Sequence, residues 1–307
     1  MTFISHAKIF ALNKPVNKTT YDMIRFFKKE FKQEAYKKIG HFGTLDPFAQ
    51  GLVLIGVNGA CRLNDFAQQN HKKTYQAIGL FGKKTDTQDR TGKILEEDPQ
   101  WLKKITIFEN KQDLESFLQQ NLLGNIQQTP SAFSALKLNG IPLYKYARSG
   151  ELIQKDARNV EIFSLKILEI LPDYAGLKFE VTVSSGTYIR SFFEQIAQLL
   201  GTIGYLDYLE RIQIGNIHLD NLDSTIVFSS ISLDLFLDLP IYYLKNEQEK
   251  EDFHQGRKIH HSNSNSNFLK TYYVATNKNE NFEIQGVAIS ELSYLQPKIV
   301  FQSKTSE

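Results

Sequence analysis

Two stretches rich in Ile, Val, Leu and Phe, Val160–Leu171 and Gly176–Val183, are joined by no more than Pro172-Asp173-Tyr174-Ala175-Gly176. So short a link returns the chain antiparallel, because parallel strands need a crossover of a dozen residues or more. The chain therefore holds a β-hairpin, and a sheet has to be built around it. Elsewhere hairpin-like and helical segments mix without a repeated strand–helix alternation. The expectation is an α+β fold, with a mixed, largely antiparallel sheet flanked by helices.

Along the chain, Ile9–Leu12 reads as a short strand running into Asn13-Lys14-Pro15. Thr19 stands three positions before Asp22, a capping-box-like helix start. The helix would place Tyr21, Ile24, Phe27, Phe31 and Ala35 on one face, with Lys28, Lys29 and Lys32 elsewhere. Gly40–Pro47 is a turn-rich loop, Leu52–Val57 a buried strand and Tyr75–Phe81 another. Lys83–Gly92 is polar and aperiodic, so a surface loop is expected. Lys111–Leu122 and Leu143–Ser149 read as helices, and Phe133–Leu138 as a strand entering the Asn139-Gly140 turn. Ser185–Arg190 leads into a helix from about Ser191 to Leu200, followed by a strand region at Ile203–Gly215. Beyond Pro240 come short strand candidates at Thr271–Ala275, Phe282–Ala288 and Ile299–Phe301. The Ser/Asn tract at 262–267 among them reads as a flexible loop. These signals divide the chain into a main domain, 1–239, and a small β-rich appendage, 240–307, too small to be stable without docking.

Several function classes drop out. No stretch approaches the roughly 18 apolar residues of a membrane-spanning helix, and Met1–Lys14 is too short in apolar residues for a secretory signal. Those readings, with the lone Cys61, suggest a soluble, cytoplasmic protein with no disulfide and no cysteine-based metal site. Phosphate-loop, dinucleotide, zinc-protease and esterase signatures are absent. His260-His261 abuts the Ser/Asn tract without a carboxylate companion and reads as a solvated loop. The net charge of +2 hides an asymmetry. Residues 1–90 carry fifteen Lys/Arg against seven Asp/Glu, leaving a net −6 on the rest. A basic segment of this kind suits an anionic partner, nucleic acid first among them, or simply a solvated lysine-rich face.

Asp46 is the most informative acid. It sits in a glycine-flanked loop, is followed by Pro47, and precedes the Leu52–Val57 run. A carboxylate anchored in this way can serve as nucleophile or general base. An Asp-Pro pair also closes turns without chemistry, and on the local pattern alone that is the plainer reading. Arg190, at a strand-to-helix junction, is a candidate to keep Asp46 ionised. Tyr188 could offer an aromatic face or a hydroxyl.

Five separated stretches together resemble the TruB family of bacterial tRNA pseudouridine-55 synthases. They are Leu12-Asn13-Lys14-Pro15 with Lys18-Thr19-Thr20, GHFGTLDPFAQG at 40–51, Lys73-Thr74-Tyr75 with Lys84–Thr87 and Asp89, PSAFSALKLNGIPLYKYAR at 130–148, and SGTYIR at 185–190 continuing to Leu209 and Arg211. The closing Leu295–Phe301 is similar to the family's end. There are departures. Asn17 stands where glycine is usual, Phe42 replaces a smaller residue, and Glu210 replaces a basic one. The resemblance implies a pseudouridine synthase fold and isomerisation of one uridine in the tRNA T-arm stem-loop. The N1–C1′ bond breaks, the base turns, and C5 bonds to C1′.

Carried over residue by residue, Asp46 matches the essential carboxylate, attacking C1′ or assisting at C2′. Tyr75 matches the tyrosine stacked on the base, and Arg190 the partner of the aspartate. Tyr188 and Leu209 match pocket positions, and His41 a residue set against the T-loop. Lys14 falls in the opening motif and Asp86 in a polar active-site loop, both taken as substrate-binding. The resemblance further implies no cofactor, no metal, no guide RNA, a monomer, and an RNA-binding, PUA-like role for 240–307. A tRNA-binding folding assistant with secondary catalysis is the main competitor, and the retained Asp46 argues against it. An unrelated carboxylate hydrolase would leave the basic N-terminus and the other four stretches unexplained.

Overall fold

The computed structural model describes residues 7–34, 36–106, 110–223, 225–261, 270–276, 283–291 and 293–301. The Ser/Asn tract, Ala35 and Phe282 lie outside the described residues. The first half runs β1 (Lys8–Lys14), α1 (Thr20–Glu30), β2 (Ile39–His41), β3 (Gln50–Val57), α2 (Asn64–Asn70), β4 (Lys73–Phe81), β5 (Lys83–Thr85), β6 (Ile94–Glu97), α3 (Trp101–Ile105) and α4 (Lys111–Leu122). Then come β7 (Gly124–Gln128), β8 (Lys137–Leu138), β9 (Ile141–Pro142), α5 (Leu143–Arg148), β10 (Arg158–Ile170), β11 (Gly176–Val183), α6 (Ile189–Leu199) and β12 (Gly204–Ile214). The remainder holds β13 (Ile217–His218), β14 (Ser229–Ile231), α7 (Leu233–Phe236), β15 (Ile241–Tyr243), α8 (Glu247–His254), β16 (Ile259–His260), β17 (Thr271–Thr276), β18 (Glu283–Glu291) and β19 (Tyr294–Val300).

The expected hairpin is β10–β11, and it sits inside a ten-stranded sheet of order β14-β1-β3-β12-β4-β11-β10-β7, with β13 on β12 and β2 on β3. Only β3–β12 is parallel in this sheet, so the class is α+β with a mixed, largely antiparallel sheet. At that seam Gly51 lies opposite Arg211 with φ +111°, and a Cβ there would come under 3.0 Å from the Arg211 backbone. Only glycine lets the two backbones close.

Helices α1, α4 and α6 cover one face. The α6 residues Phe192, Phe193 and Ile196 pack with Ala77, Phe179 and Val181 from the sheet, and with Leu114 and Leu118 of α4. α1 starts at the capping box of Thr19 and Asp22. Its buried face is Thr20, Met23, Ile24 and Phe27, whereas Tyr21 is 62% exposed and the helix stops at Glu30. Ile24 and Phe27 of the expected face are buried, but Thr20 and Met23 take the inward positions in place of Tyr21. A second cluster joins Ile9, Ala11, Leu52 and Leu54 to Tyr273, Val287, Ile299 and Phe301. It mounts the five-stranded sheet β15-β17-β18-β19-β16 on the main one.

Three further differences have physical causes. Phe133–Leu138 pairs only at Lys137–Leu138, as half of a two-residue ladder with β9. α6 begins at Ile189, so Arg190 lies inside its first turn. Lys83–Gly92 is not a free surface loop: β5 pairs β6, and Leu206 exchanges backbone bonds with Gln88 and Arg90. That docking buries Thr85 and Asp89.

Candidate active site

Alternation along two neighbouring strands brings the site's walls together. On β4, Lys73, Tyr75 and Ala77 share the buried phase, and on β12 Leu209 and Arg211 do. The register sets Tyr75 against Arg211 and Ala77 against Leu209. The Gly43–Asp46 loop and the Gly186–Ile189 turn close the other sides, leaving a cavity of about 300 Å³. Asp46, Tyr75, Tyr188 and Leu209 line it, with Lys73, Arg158 and Arg211.

Asp46 is reached from beneath by Arg190. The buried guanidinium donates from Nε to Asp46 Oδ2 at 2.8 Å. Its other nitrogens donate to Thr87 O (2.7 Å), Ser131 Oγ (3.3 Å) and Phe133 O (3.2 Å). Asp89 lies 3.9 Å from the same Nε and accepts from Thr87 and Thr91. Arg190 thus ties two loops, at Thr87–Asp89 and Ser131–Phe133, to the carboxylate, whose side chain keeps 30% exposure. A half-open carboxylate fixed by a buried cation is a group ready to act on a ligand in the cavity.

Lys14, His41 and Asp86 do not line the cavity. Lys14 is fully buried under the Asp46 loop, its ammonium donating to Pro15 O, Lys18 O and Ala49 O. Burial pulls its pKa down to about 8, the nearby Asp46 opposing and Arg211 assisting. Two of its bonds go to its own segment and one to the Asp46 loop, so the structure places the expected substrate-binding Lys14 beneath that loop and away from the cavity. His41 ends β2 with Nδ1 3.4 Å from Gly43 N, and burial, then Arg211, lowers its pKa. Asp86 accepts from Lys93 N at 2.8 Å and closes its own turn. Asn17 adopts φ 62°, the left-handed backbone that asparagine tolerates in glycine's place. Phe42 is buried against Phe236, ring centroids 4.5 Å apart. Glu210, out of phase with Arg211, is held by Gln50 and Tyr208.

The residues that motif matching did not single out as site groups are Lys73, Arg211, Arg158 and Asp89. Lys73 and Arg211 carried a legible sign, a cation in phase with the apolar side of a strand. Arg211 donates to Leu52 O, Thr44 O and Gly43 O. Lys73 reaches Ser185 Oγ at 3.1 Å, and burial, then Arg211, pulls its pKa down to about 7.

A family model described as TruB family pseudouridylate synthase (N terminal domain) matches residues 28–189. The tRNA pseudouridine synthase B of Clostridium acetobutylicum is 39% identical over 208 residues, 68% of this chain and 67% of that one. Its namesake in Carboxydothermus hydrogenoformans is 37% identical over 243 residues, 77% and 80% of the two chains. Among solved structures, an H/ACA RNP bound to a substrate RNA containing 2′-deoxyuridine superposes with a TM-score of 0.66 at 16% identity, covering 97% of this chain and 86% of that one. A Cbf5-Nop10-Gar1 complex gives 0.64 at 17%, covering 96% and 85%. At such identities the structural likeness is one of fold.

Proposed function

The chain belongs to the TruB family of pseudouridylate synthases, and from that membership we infer that it isomerises a uridine of tRNA to pseudouridine, at position 55 in the T-loop. The observation that carries the reading is the Asp46–Arg190 pair, 2.8 Å apart at the edge of a cavity walled by Tyr75 and Leu209. A uridine inside a folded loop has to be flipped out to react, and stacking on an aromatic such as Tyr75 offsets about 1–3 kcal/mol of that cost. Leu209 would close the other face of the base.

Asp46 acts on the sugar, either attacking C1′ or taking a proton at C2′. Both routes need an ionised carboxylate facing the cavity, which Arg190 supports. The N1–C1′ bond breaks, the base turns, and C5 bonds to C1′. C5 loses its proton and N1 gains one, so atoms and electrons balance without an outside donor, and the reaction calls for no cofactor.

The remaining parts of the reading rest on charge and placement for the RNA contacts, and on family membership for the location, the monomer and the lack of a guide RNA. Tyr188 and the neighbouring Arg158, whose guanidinium lies 5.0 Å from the Tyr188 ring centroid, form the rim toward the RNA. His41 and Asp86 support the loops on either side. Residues 1–239 carry the chemistry. Residues 240–307 add RNA contacts through Lys245 and Lys270, set over Tyr242 and Tyr272. The enzyme works in the cytoplasm as a monomer without a guide RNA.

Pseudouridine mapping on an unmodified tRNA transcript, with chelator present, tests this. Wild-type protein should convert one T-loop uridine, while Asp46→Asn should bind the RNA and convert none. Binding without conversion by the wild type would leave the folding-assistant reading in its place.

A further inference from the structure

Three buried cations lie close together, Lys73 and Arg211 on the cavity wall and Lys14 beneath the Asp46 loop, and among the described residues only Lys14 has carboxylates, Asp46 and Asp22, acting on it. Lys14 and Arg211 are fully buried, and Lys73 is 6% exposed. Burial first, and Arg211 as a lesser cause, depress the pKa of both lysines and of His41, so the charges feel one another. The nearby carboxylate, Asp46, is already held by Arg190. Lys14 is occupied by three carbonyls and Arg211 by three more. Lys73 has only the Ser185 hydroxyl, and among the described residues no ion pair joins Lys73 or Arg211 to a carboxylate. Leaving charge buried and unpaired is costly, so a site built this way has its counter-charge arrive with the ligand.

Position says which part of the ligand that is. Lys73 lies two residues from Tyr75 on the same strand face, about 6.6 Å along β4. With the base on Tyr75, Lys73 falls beside it, toward the backbone. Gly43, at φ +132°, leaves the approach open: a Cβ there would sit 3.3 Å from Lys73 Nζ and 3.6 Å from Arg211 Nη1.

We propose that Lys73, backed by Arg211, is an anion subsite that takes a phosphodiester flanking the flipped uridine. The proposal rests on the tRNA reading above. It makes Lys73 a binding residue whose charge is completed only in the complex.

The test is a two-by-two comparison. Unmodified tRNA is assembled by ligation with one neutral methylphosphonate linkage on either side of the target uridine. Dissociation constants and single-turnover rates are measured for wild type and Lys73→Met. A charge-assisted contact of this kind is worth about tenfold or more in affinity. One flanking methylphosphonate should weaken wild type by about tenfold and leave Lys73→Met, already about tenfold weaker, nearly unchanged. Lys73→Arg should regain most of the affinity for the all-phosphodiester RNA. Independent, multiplying penalties would overturn the proposal. A measurement on wild type alone guards against a misfolded variant: among all loop linkages, a flanking one must give the largest methylphosphonate penalty, and a uniform profile also overturns the subsite. Conversion of the all-phosphodiester tRNA by wild type is scored separately. Its absence would refute the tRNA reading, whereas conversion with multiplying penalties refutes the subsite alone.

Discussion

Lys73→Met should make the free protein more stable while making it a poorer RNA binder. Lys73 is buried, and its pKa falls from 10.5 to about 7 in the fold, through burial first and Arg211 second. Between those values the unfolded chain binds a proton that the folded chain does not, so this group makes stability rise with pH. At pH 7 the imbalance costs the fold about 4 kcal/mol, from about 1.4 kcal/mol per pH unit, and at pH 9 about 2 kcal/mol. Methionine fills a similar unbranched volume without charge, and the lost Ser185 hydrogen bond returns roughly 1 kcal/mol. The variant should therefore exceed wild type by about 3 kcal/mol at pH 7, with the gap closing as the pH approaches 10.5. Urea unfolding of both proteins at pH 7, 8 and 9 measures it. A variant less stable than wild type, with a gap that does not move with pH, would refute the reasoning.

Arg190→Met strands the Asp46 and Asp89 carboxylates and should cost about 3–5 kcal/mol in urea unfolding, as for broken buried pairs, with turnover lost; stability within 1 kcal/mol of wild type would deny the staple role. Thr19→Ala removes the capping box of α1 and should lower stability by about 1 kcal/mol, read as a Tm drop of a few degrees, with tRNA affinity unchanged. Reversing charge at Lys245 and Lys270 together should weaken tRNA binding several-fold at low salt and much less at high salt, as lost phosphate contacts do. An equal affinity for wild type and variant across salt concentrations would remove 240–307 from the RNA interface.

Much of this architecture can be read from the chain because its signals are local. The β10–β11 hairpin, the Thr19–Asp22 capping box and the Lys111–Leu122 helix each depend on residues close in sequence, and each stands where expected. What could not be read depends on distance. The Lys83–Gly92 segment looks solvated because its polar groups are satisfied by its own turn, as Asp89 is by Thr87 and Thr91. Nothing local shows that Leu206 ties it to β12. The Asp46–Arg190 pair spans 144 positions; chemistry makes Arg190 a candidate partner for the carboxylate, but no local signal joins the two, and the resemblance is what makes the pairing specific. Tyr21 misleads for another reason. It fits the apolar stripe, but the helix is oriented by Thr20, whose hydroxyl exchanges hydrogen bonds with Leu45 and faces inward to do so.

That Thr20–Leu45 exchange belongs to a larger pattern that explains how an irregular loop can present a carboxylate reproducibly. Between Gly43 and Ala49 the backbone has no helix or strand until β3 begins, yet its carbonyls are nearly all occupied. Arg211 takes Gly43 O and Thr44 O, Thr20 takes Leu45 O, and Ala49 N takes Asp46 O. Asn17 N takes Pro47 O, and Lys14 takes Ala49 O. A loop whose backbone polar groups are satisfied has few alternative conformations, and a reacting group fixed before the substrate arrives avoids ordering it at the barrier. Three of these donors, from Lys14, Asn17 and Thr20, come from the opening Lys-Pro segment, which serves as backing for the Asp46 loop. Using cations from beneath brings an excess of buried positive charge toward the cavity. Arg211, which holds Gly43 and Thr44 in this device, is thus also the cation that backs Lys73 at the proposed phosphate subsite.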